Sequence, residues 1–269
     1  WYPATKQAYR TAKILNFDIT VFAPKGRGEA GTLEMVHFLK KVLEERYDGI
    51  CISPIADLRV EKLLQKMAEK GVEVIFILSA FDSVPYRTLI GTDSYQCGRS
   101  TGEAVREALG ADGAVGIIKW KDNLIETVED RYHGVVDVLK ENRIPYYDMT
   151  GPGEPTAEEA TKLTDRLLTE HPDISVLCAT NVGWGLAFAR YLKSKGKKVK
   201  LVTVDFTDEV GEFMKAGYVD AAIAQRPESW GSMTLEKIEA VFEGQSIPKT
   251  IDTGTYPVTP ANIRIYVKD

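Results

Sequence analysis

The chain has 269 residues, a formal net charge of −5 at pH 7 and 44% hydrophobic residues. This length allows one large α/β domain or two lobes of ordinary size. The weakly negative charge gives no sign of a nucleic acid or an anionic membrane surface as a partner, because such partners select basic patches.

The beginning of the sequence shows no export signal. It opens Trp1-Tyr2-Pro3 without a methionine, and no apolar run has the length of a membrane span. We expect that the natural chain begins earlier, which leaves room for an export signal before Trp1.

The three cysteines do not predict a disulfide framework or a metal site. Cys51 and Cys178 lie in short apolar runs and are expected to act as small buried hydrophobes, while Cys97 lies at the start of a predicted helix. No CxxC motif is present, so the cysteines do not fix the compartment of the protein.

The first part of the chain alternates between helix-like and strand-like patterns. Apolar residues at helical spacing mark the helices, and the continuous apolar run from Val72 to Leu78 is typical of a parallel strand covered on both faces. The predicted elements are a helix at 2–15, strands at 17–22, 48–53, 72–78 and 87–90, and helices at 32–46 and 57–71.

The rest of the chain repeats this alternation. The predicted helices are 94–109, 127–142, 156–170, 182–195, 209–216 and 228–242, and the predicted strands are 114–118, 146–149, 174–179, 199–204 and 221–224. Short strands interrupted by Pro248, Pro257 and Pro260 follow. Such alternation favours parallel sheets of right-handed βαβ units, and two sheets in two lobes pack more easily than one very wide sheet.

The first predicted helix has no strand before it. A doubly wound sheet normally places its first strand near the middle, and a gap there would leave backbone donors and acceptors unpaired. We therefore expect a strand before Trp1 in the natural protein.

The sequence offers no catalytic constellation. His37, His133 and His171 are too scattered for a ligand cluster, and no HExxH, GxSxG or P-loop motif occurs. Gly26-Arg27-Gly28 is too short for a dinucleotide fingerprint. We therefore expect no catalytic residues, no metal and no cofactor, and a protein that is not an enzyme.

Several short segments, in order along the chain, carry a resemblance to a known family. They are Leu15-Asn16-Phe17-Asp18, Ser53-Pro54-Ile55-Ala56-Asp57, Gly91-Thr92-Asp93 with Gly98, Arg131-Tyr132-His133-Gly134-Val135, Leu168 to Asp173, Val202-Thr203-Val204-Asp205 and Ala222 to Pro227. Their order and spacing resemble the type I periplasmic sugar-binding proteins, especially the ribose-binding group, and the effector-binding cores of LacI-type repressors.

The resemblance implies an α/β architecture of two Rossmann-like lobes with parallel sheets, joined by a three-segment hinge. One lobe would be residues 1–92 with 226–254, and the other 93–225 with 255–269. The ligand cleft would lie between them, and the first strand is the one missing from the sequence.

The resemblance also implies ligand-binding positions. Trp1 falls where the family has an aromatic residue that stacks on the sugar ring, and Arg131, Asn181, Asp205 and Gln225 fall on its polar ligand contacts. Asn181 and Asp205 follow predicted parallel strands, where ligands of open α/β sheets bind. Amides, carboxylates and a guanidinium suit hydroxyls that both donate and accept hydrogen bonds.

Some alternatives remain open at this stage. Asn181 and Asp205 are also suited to cap the helices that follow them, and Arg131 is also suited to a solvated helix face. Trp120, at the end of a predicted strand, is suited either to the core or to the cleft.

The pattern departs from the ribose-binding group at two places. That group has an Asp-Arg pair where this chain has Leu78 and Ser79, with Asp82 shortly after. We include Ser79 and Asp82 among the candidate ligand-binding residues. The second stacking aromatic, expected near Gly153–Thr156, is also missing, so the sequence favours another pentose, a hexose, a polyol or another small polar molecule over ribose.

The predicted function is that of a periplasmic or extracellular, membrane-associated solute-binding protein. It would capture a small polar ligand, such as a monosaccharide, by hinge closure and present it to an ABC transporter. The alternatives are a sugar-sensing receptor domain for a membrane histidine kinase and the effector-binding core of a LacI-type repressor. The residues before Trp1 distinguish them: a signal peptide, a membrane anchor or a DNA-binding headpiece. No nucleic-acid partner is expected for the chain as given.

Overall fold

The computed structural model describes residues 2–26, 28–110, 112–120, 126–153 and 155–266. The chain divides into two compact units. Unit 1 contains the chain up to Thr92 together with Arg226–Gly254, and unit 2 contains Asp93–Gln225 together with the chain from Thr255 onward.

The helices and strands of the described chain follow one another in the predicted alternation. The α-helices are α1 Tyr2–Leu15, α2 Glu29–Glu44, α3 Leu58–Glu69, α4 Ser94–Leu109, α5 Glu126–Glu141, α6 Ala157–Glu170, α7 Val182–Lys195, α8 Asp208–Lys215 and α9 Pro227–Phe242. The strands are β1 Gly49–Ile52, β2 Glu73–Ile77, β3 Thr88–Gly91, β4 Ala114–Trp120, β5 Tyr146–Gly151, β6 Ile174–Ala179, β7 Lys200–Val204, β8 Ala221–Ala224, β9 Thr250–Asp252 and β10 Tyr256–Val258. A short 3₁₀-helix covers Ile263–Ile265.

Unit 1 is built on a four-stranded parallel sheet in the order β1-β2-β3-β9. Helix α3 begins where the carboxylate of Asp57 accepts a hydrogen bond from the Arg59 amide at 2.8 Å, and the chain turns after it at Gly71, which has a φ of 84°. The apolar residues of α3 are spaced at helical intervals, so they share one face and bury it in the core beside Phe76.

Helices α1 and α9 of unit 1 pack unusually close to each other. A Cβ atom placed on Gly231 would overlap the carbonyl oxygen of Ala4, so only glycine allows this approach. The interface also lies against a small apolar cluster that contains Ala12, Ile90 and Trp230.

Unit 1 contains a cavity of about 1220 Å³ beside strand β1. One side is lined by residues 16–24 and the other by residues 45–55, which include β1. The only partner of β1 in the described part of the chain is β2, so its other edge faces the cavity. The expectation of a further strand before Trp1 stays a prediction.

The predicted strand from Phe17 to Phe22 is wrong, because the structure assigns no strand to these residues. The segment is held by side chains instead: Phe22 stacks on Phe38 at 4.2 Å, and the hydroxyls of Thr20 and Tyr47 lie 3.2 Å apart. A strand needs a ladder partner as well as β propensity, and the space beside this segment is the cavity.

Unit 2 is built on a six-stranded sheet in the order β10-β8-β7-β6-β4-β5. All neighbouring strands are parallel except β10, which pairs antiparallel with β8. Successive residues of β4 alternate between two cores: Ile118 packs with Phe188 of α7, and Ile117 packs with Leu139 of α5. The prediction of an α/β fold with parallel sheets is confirmed.

None of the helices in the described residues combines the length and apolar character needed to cross a membrane.

Candidate functional site

Three adjacent strands of unit 2 bring three of the predicted polar residues to one edge of the sheet. Strands β6, β7 and β8 are parallel neighbours, so their carboxyl ends lie side by side. Asp205 and Gln225 follow β7 and β8 directly, and Asn181 follows β6 after one residue. Carboxyl edges of parallel strands are where α/β proteins bind ligands.

Asp205 is held in a left-handed backbone conformation at the end of β7. Its φ is 69°, and its amide donates a hydrogen bond to the carbonyl of Ile223 in β8 at 2.9 Å. Aspartate tolerates this conformation better than most residues because its short polar side chain hydrogen-bonds locally. The turn places the carboxylate where it accepts a hydrogen bond from the Gln225 side chain at 2.6 Å.

Arg131, on α5, is gathered into the same cluster and is only 6% exposed. Its Nη1 lies 3.4 Å from the carbonyl oxygen of Thr180, and its Nη2 lies 3.4 Å from Oε1 of Gln225. Both distances are long for hydrogen bonds, so the guanidinium is loosely held by protein groups. Its Nε is buried and has no partner among the described residues. The solvated helix face considered for Arg131 is therefore excluded.

Two glycines set the position of α5, and therefore of Arg131. A Cβ atom on Gly98 of α4 would overlap the carbonyl of Arg131, and one on Gly134 of α5 would overlap the carbonyl of Tyr95. The backbones of α4 and α5 can approach this closely only because both residues lack a side chain. The glycine of the Arg131–Val135 motif therefore has a packing role.

Asn181 both caps a helix and keeps a free donor. Its Oδ1 accepts a hydrogen bond from the amide of Trp184 at 3.0 Å, which begins helix α7. Its Nδ2 is buried without a partner in the described chain, and the residue is 9% exposed. The capping role and a ligand contact are compatible, because they use different atoms of one amide.

The capping alternative for Asp205 is excluded. Helix α8 is capped by Thr207, whose hydroxyl accepts a hydrogen bond from the amide of Val210 at 3.2 Å. The carboxylate of Asp205 is instead engaged with Gln225. The arrangement is a chain of polar groups from Asp205 through Gln225 to Arg131, with Asn181 beside the Thr180 carbonyl.

The other predicted site residues are not part of unit 2. Ser79 is half-buried and Asp82 is exposed, and both belong to the loop that follows β2 in unit 1. Trp1 lies outside the described residues. Sequence reasoning did not identify the carbonyl of Thr180 as a partner of Arg131, because a backbone group carries no signal in residue type.

The described residues contain no group of three or more His, Cys, Asp or Glu side chains arranged to hold a metal ion. Burial raises the pKa of Cys51 to about 12 and that of Cys178 to about 12. Both thiols therefore stay protonated near neutral pH, which makes them poor nucleophiles.

Comparison with known proteins identifies a family. The model of the periplasmic binding protein domain matches residues 1–246. The ribose import binding protein RbsB of Bacillus subtilis is 21% identical over 220 residues, which cover 79% of this chain and 69% of that protein.

Solved structures show the same fold. The solute-binding protein of an ABC transporter from Burkholderia graminis, in complex with D-arabinose, superposes with a TM-score of 0.86 at 23% identity, covering 99% of this chain and 93% of that one. A sugar-binding protein of a sugar ABC transporter from Bacillus halodurans gives a TM-score of 0.89 at 18% identity, covering 99% and 95%. The predicted resemblance is confirmed, and the chain belongs to the periplasmic binding protein family.

Proposed function

We propose that the chain is an extracytoplasmic solute-binding protein that captures a monosaccharide, leaves it chemically unchanged and presents it to an ABC transporter. The observation that carries the proposal is a pair of buried donors, Arg131 Nε and Asn181 Nδ2, without partners among the described residues. Leaving a buried donor unsatisfied costs about 1–3 kcal/mol. A ligand oxygen placed against each donor removes that cost, so the free site favours a ligand rich in acceptors.

The charges around these donors favour a neutral ligand. Arg131 contributes one positive charge and Asp205 one negative charge, and Gln225 lies between them. Because the two charges are opposite, the attraction of an ionic ligand to one is offset by its repulsion from the other, and a net charge on the ligand gains little. A sugar hydroxyl donates to the carboxylate and accepts from the guanidinium, so a polyhydroxylated ligand satisfies both.

The named relatives support this ligand class. One is a ribose import binding protein, and one solved neighbour is a solute-binding protein in complex with D-arabinose. Leu78 and Ser79 replace the Asp-Arg pair of the ribose-binding group, so we propose a monosaccharide other than ribose. Capture by hinge closure stays a prediction, which small-angle X-ray scattering with and without sugar would test.

A thermal-shift screen tests the proposal. The wild-type chain would be heated with D-ribose, D-arabinose, D-allose, D-galactose, D-glucose and D-sorbitol in separate samples. A ligand at about 100 times its Kd stabilises the native state by about 2.7 kcal/mol, so the matching sugar raises the Tm by several degrees.

Two variants locate the effect. Arg131→Gln removes the buried guanidinium and should abolish the shift produced by the matching sugar. Arg166→Gln changes an exposed arginine paired with Glu170 on α6 and should leave the shift unchanged. The proposal is contradicted if no sugar or polyol raises the Tm, or if the Arg131→Gln variant responds as the wild type does.

A further inference from the structure

We infer that Trp120 is a further ligand-binding residue, whose indole N–H donates a hydrogen bond to an oxygen of the bound sugar. The inference rests on the proposed function and adds to it a residue and a requirement on the ligand. Trp120 is the last residue of β4 and pairs with Gly151 of β5.

Trp120 lies at the edge of the sheet that carries the polar cluster. Strand β4 is the parallel neighbour of β6, with Ile117 opposite Cys178. Three residues beyond this pair lie Trp120, which ends β4, and Asn181, which comes two residues after the end of β6. Two neighbouring strands therefore deliver an indole and an amide to the same edge.

A short glycine-containing segment separates Trp120 from a second indole. A Cβ atom on Gly153 would lie 2.9–3.2 Å from the six-membered ring of Trp120, and one on Gly151 would lie 2.9 Å from the ring of Trp184. These glycines let residues 151–153 pack between the two rings. Trp184 is also the residue whose amide is capped by Asn181, so this packing connects Trp120 to the cluster.

The two indoles differ in what their N–H groups do. The Nε1 of Trp184 donates to the carbonyl of Pro152 at 2.9 Å, and the residue is 1% exposed. The Nε1 of Trp120 is buried and has no partner among the described residues, although the residue as a whole is only partly buried. A buried indole N–H normally finds an acceptor, so Trp120 has a donor to offer a ligand.

Trp120 changes the chemical description of the site. Together with Arg131 Nε and Asn181 Nδ2, it is one of three buried side-chain nitrogens that have no partner in the described part of the chain. On this inference the bound molecule presents an acceptor oxygen to each of the three donors, as a monosaccharide can. The ring itself packs against the core cluster of unit 2, so the N–H is the part of the indole that we assign to the ligand.

The test compares Trp120→Phe with Trp184→Phe, using the sugar that raises the wild-type Tm most in the screen. Trp120→Phe keeps one aromatic ring and removes the unpartnered N–H with the rest of the indole, so it should weaken affinity about tenfold. Trp184→Phe makes the same truncation at an indole whose N–H is paired, and it controls for the lost ring atoms. Trp184→Phe deletes a donor already bound to Pro152, so it should lower the Tm of the free protein and leave affinity within about twofold. Isothermal titration calorimetry and thermal unfolding give both quantities.

Monodeoxy analogues of the same sugar identify the oxygen that Trp120 contacts. One analogue should lose affinity for the wild type but lose nothing further in Trp120→Phe, which is the signature of a broken contact in a double-mutant cycle. If a sugar binds the wild type and Trp120→Phe binds it equally well, the role of Trp120 is wrong while the proposed function stands. If no sugar or polyol binds the wild type, the proposed function fails and this inference fails with it.

Discussion

Both units have the same backbone turn at the end of an interior strand, but the side chain at the turn is apolar in unit 1 and acidic in unit 2. Leu78 follows β2 with a φ of 68°, and its amide donates to the carbonyl of Ile90 at 3.0 Å. Asp205 follows β7 with a φ of 69°, and its amide donates to the carbonyl of Ile223 at 2.9 Å. The backbone conformation of the turn is therefore shared by both units, and the two turns differ only in the contacts that their side chains make.

The surroundings of the two turns differ accordingly. Leu78 packs against Gly91 and an apolar cluster around Ile90, so unit 1 uses the position for packing. Asp205 meets Gln225 and, through it, Arg131, so unit 2 uses the position for polar recognition. A bulky residue such as leucine gains nothing locally from a left-handed conformation, which costs about 1–2 kcal/mol. Packing or function must offset that strain.

The largest expected effect comes from removing the carboxylate at the unit 2 turn. Asp205→Ala removes the partner of Gln225 and should cost roughly 2–4 kcal/mol of binding, or about 30- to 1000-fold in Kd, because buried ligand hydroxyls lose an acceptor. Asp205→Asn keeps an acceptor oxygen and the left-handed preference, so it should lose less. Calorimetry with the sugar found by thermal shift measures both, and an unchanged Kd for the alanine variant would contradict the site.

The next effect concerns the glycines that dock one helix on another in each unit. Alanine normally stabilises a helix relative to glycine by about 0.5–1 kcal/mol. Gly98→Ala in unit 2 and Gly231→Ala in unit 1 should instead destabilise by roughly 1–3 kcal/mol, because each new methyl group overlaps a backbone carbonyl. Urea unfolding measures both, with Ser100→Ala on α4 as the control. A variant as stable as the wild type would show that the helices separate without cost.

Substitutions at Leu78 measure the strain of the shared turn. Leu78→Gly and Leu78→Ala lose the same packing, but only glycine adopts the left-handed conformation freely. The glycine variant should therefore be more stable by about 1 kcal/mol. At Ile77, one residue earlier in the strand, the order should reverse, since alanine is favoured over glycine there. Equal stability of the two variants at Leu78 would argue against strain.

The smallest effect distinguishes a charged helix cap in unit 1 from a neutral one in unit 2. The hydrogen bond from Arg59 lowers the pKa of Asp57 from 3.8 to about 2. A carboxyl group with a lowered folded-state pKa stabilises the protein above its ordinary pKa, and that contribution is lost as the pH falls through the folded value. Asp57→Ala should therefore cost about 1 kcal/mol at pH 6 and clearly less at pH 3.

Thr207→Ala is the matched control for this pH dependence. The hydroxyl that caps α8 does not titrate, so its loss should cost a similar amount at both pH values. Urea unfolding at pH 6 and pH 3 measures the two differences. A pH-independent cost for Asp57→Ala would contradict the assigned role of its carboxylate.

Much of the fold follows from local pattern. The apolar run from Val72 to Leu78 predicted a buried parallel strand, and the structure has β2 there. The predicted cap of α6 is also present, because the side chains of Thr156 and Glu159 each accept a hydrogen bond from the backbone amide of the other. The strand predicted at 17–22 failed because pairing is a property of two segments, and local propensity describes only one. The choice of Arg131, Asn181, Asp205 and Gln225 as ligand contacts stays a prediction that the binding experiments test.

Hydrophobic periodicity and motif order are local features of the chain, so the residues alone were enough to predict the alternation of helices and strands, the parallel sheets and the family. Which polar atoms have partners became visible only in the folded chain. Three features depend on segments distant in sequence: the donors of Arg131, Asn181 and Trp120 that have no partner in the described ranges, the left-handed turn at Leu78, and the carbonyl that faces Arg131. Burial and hydrogen bonding are relations between such segments, so residue types alone cannot specify them.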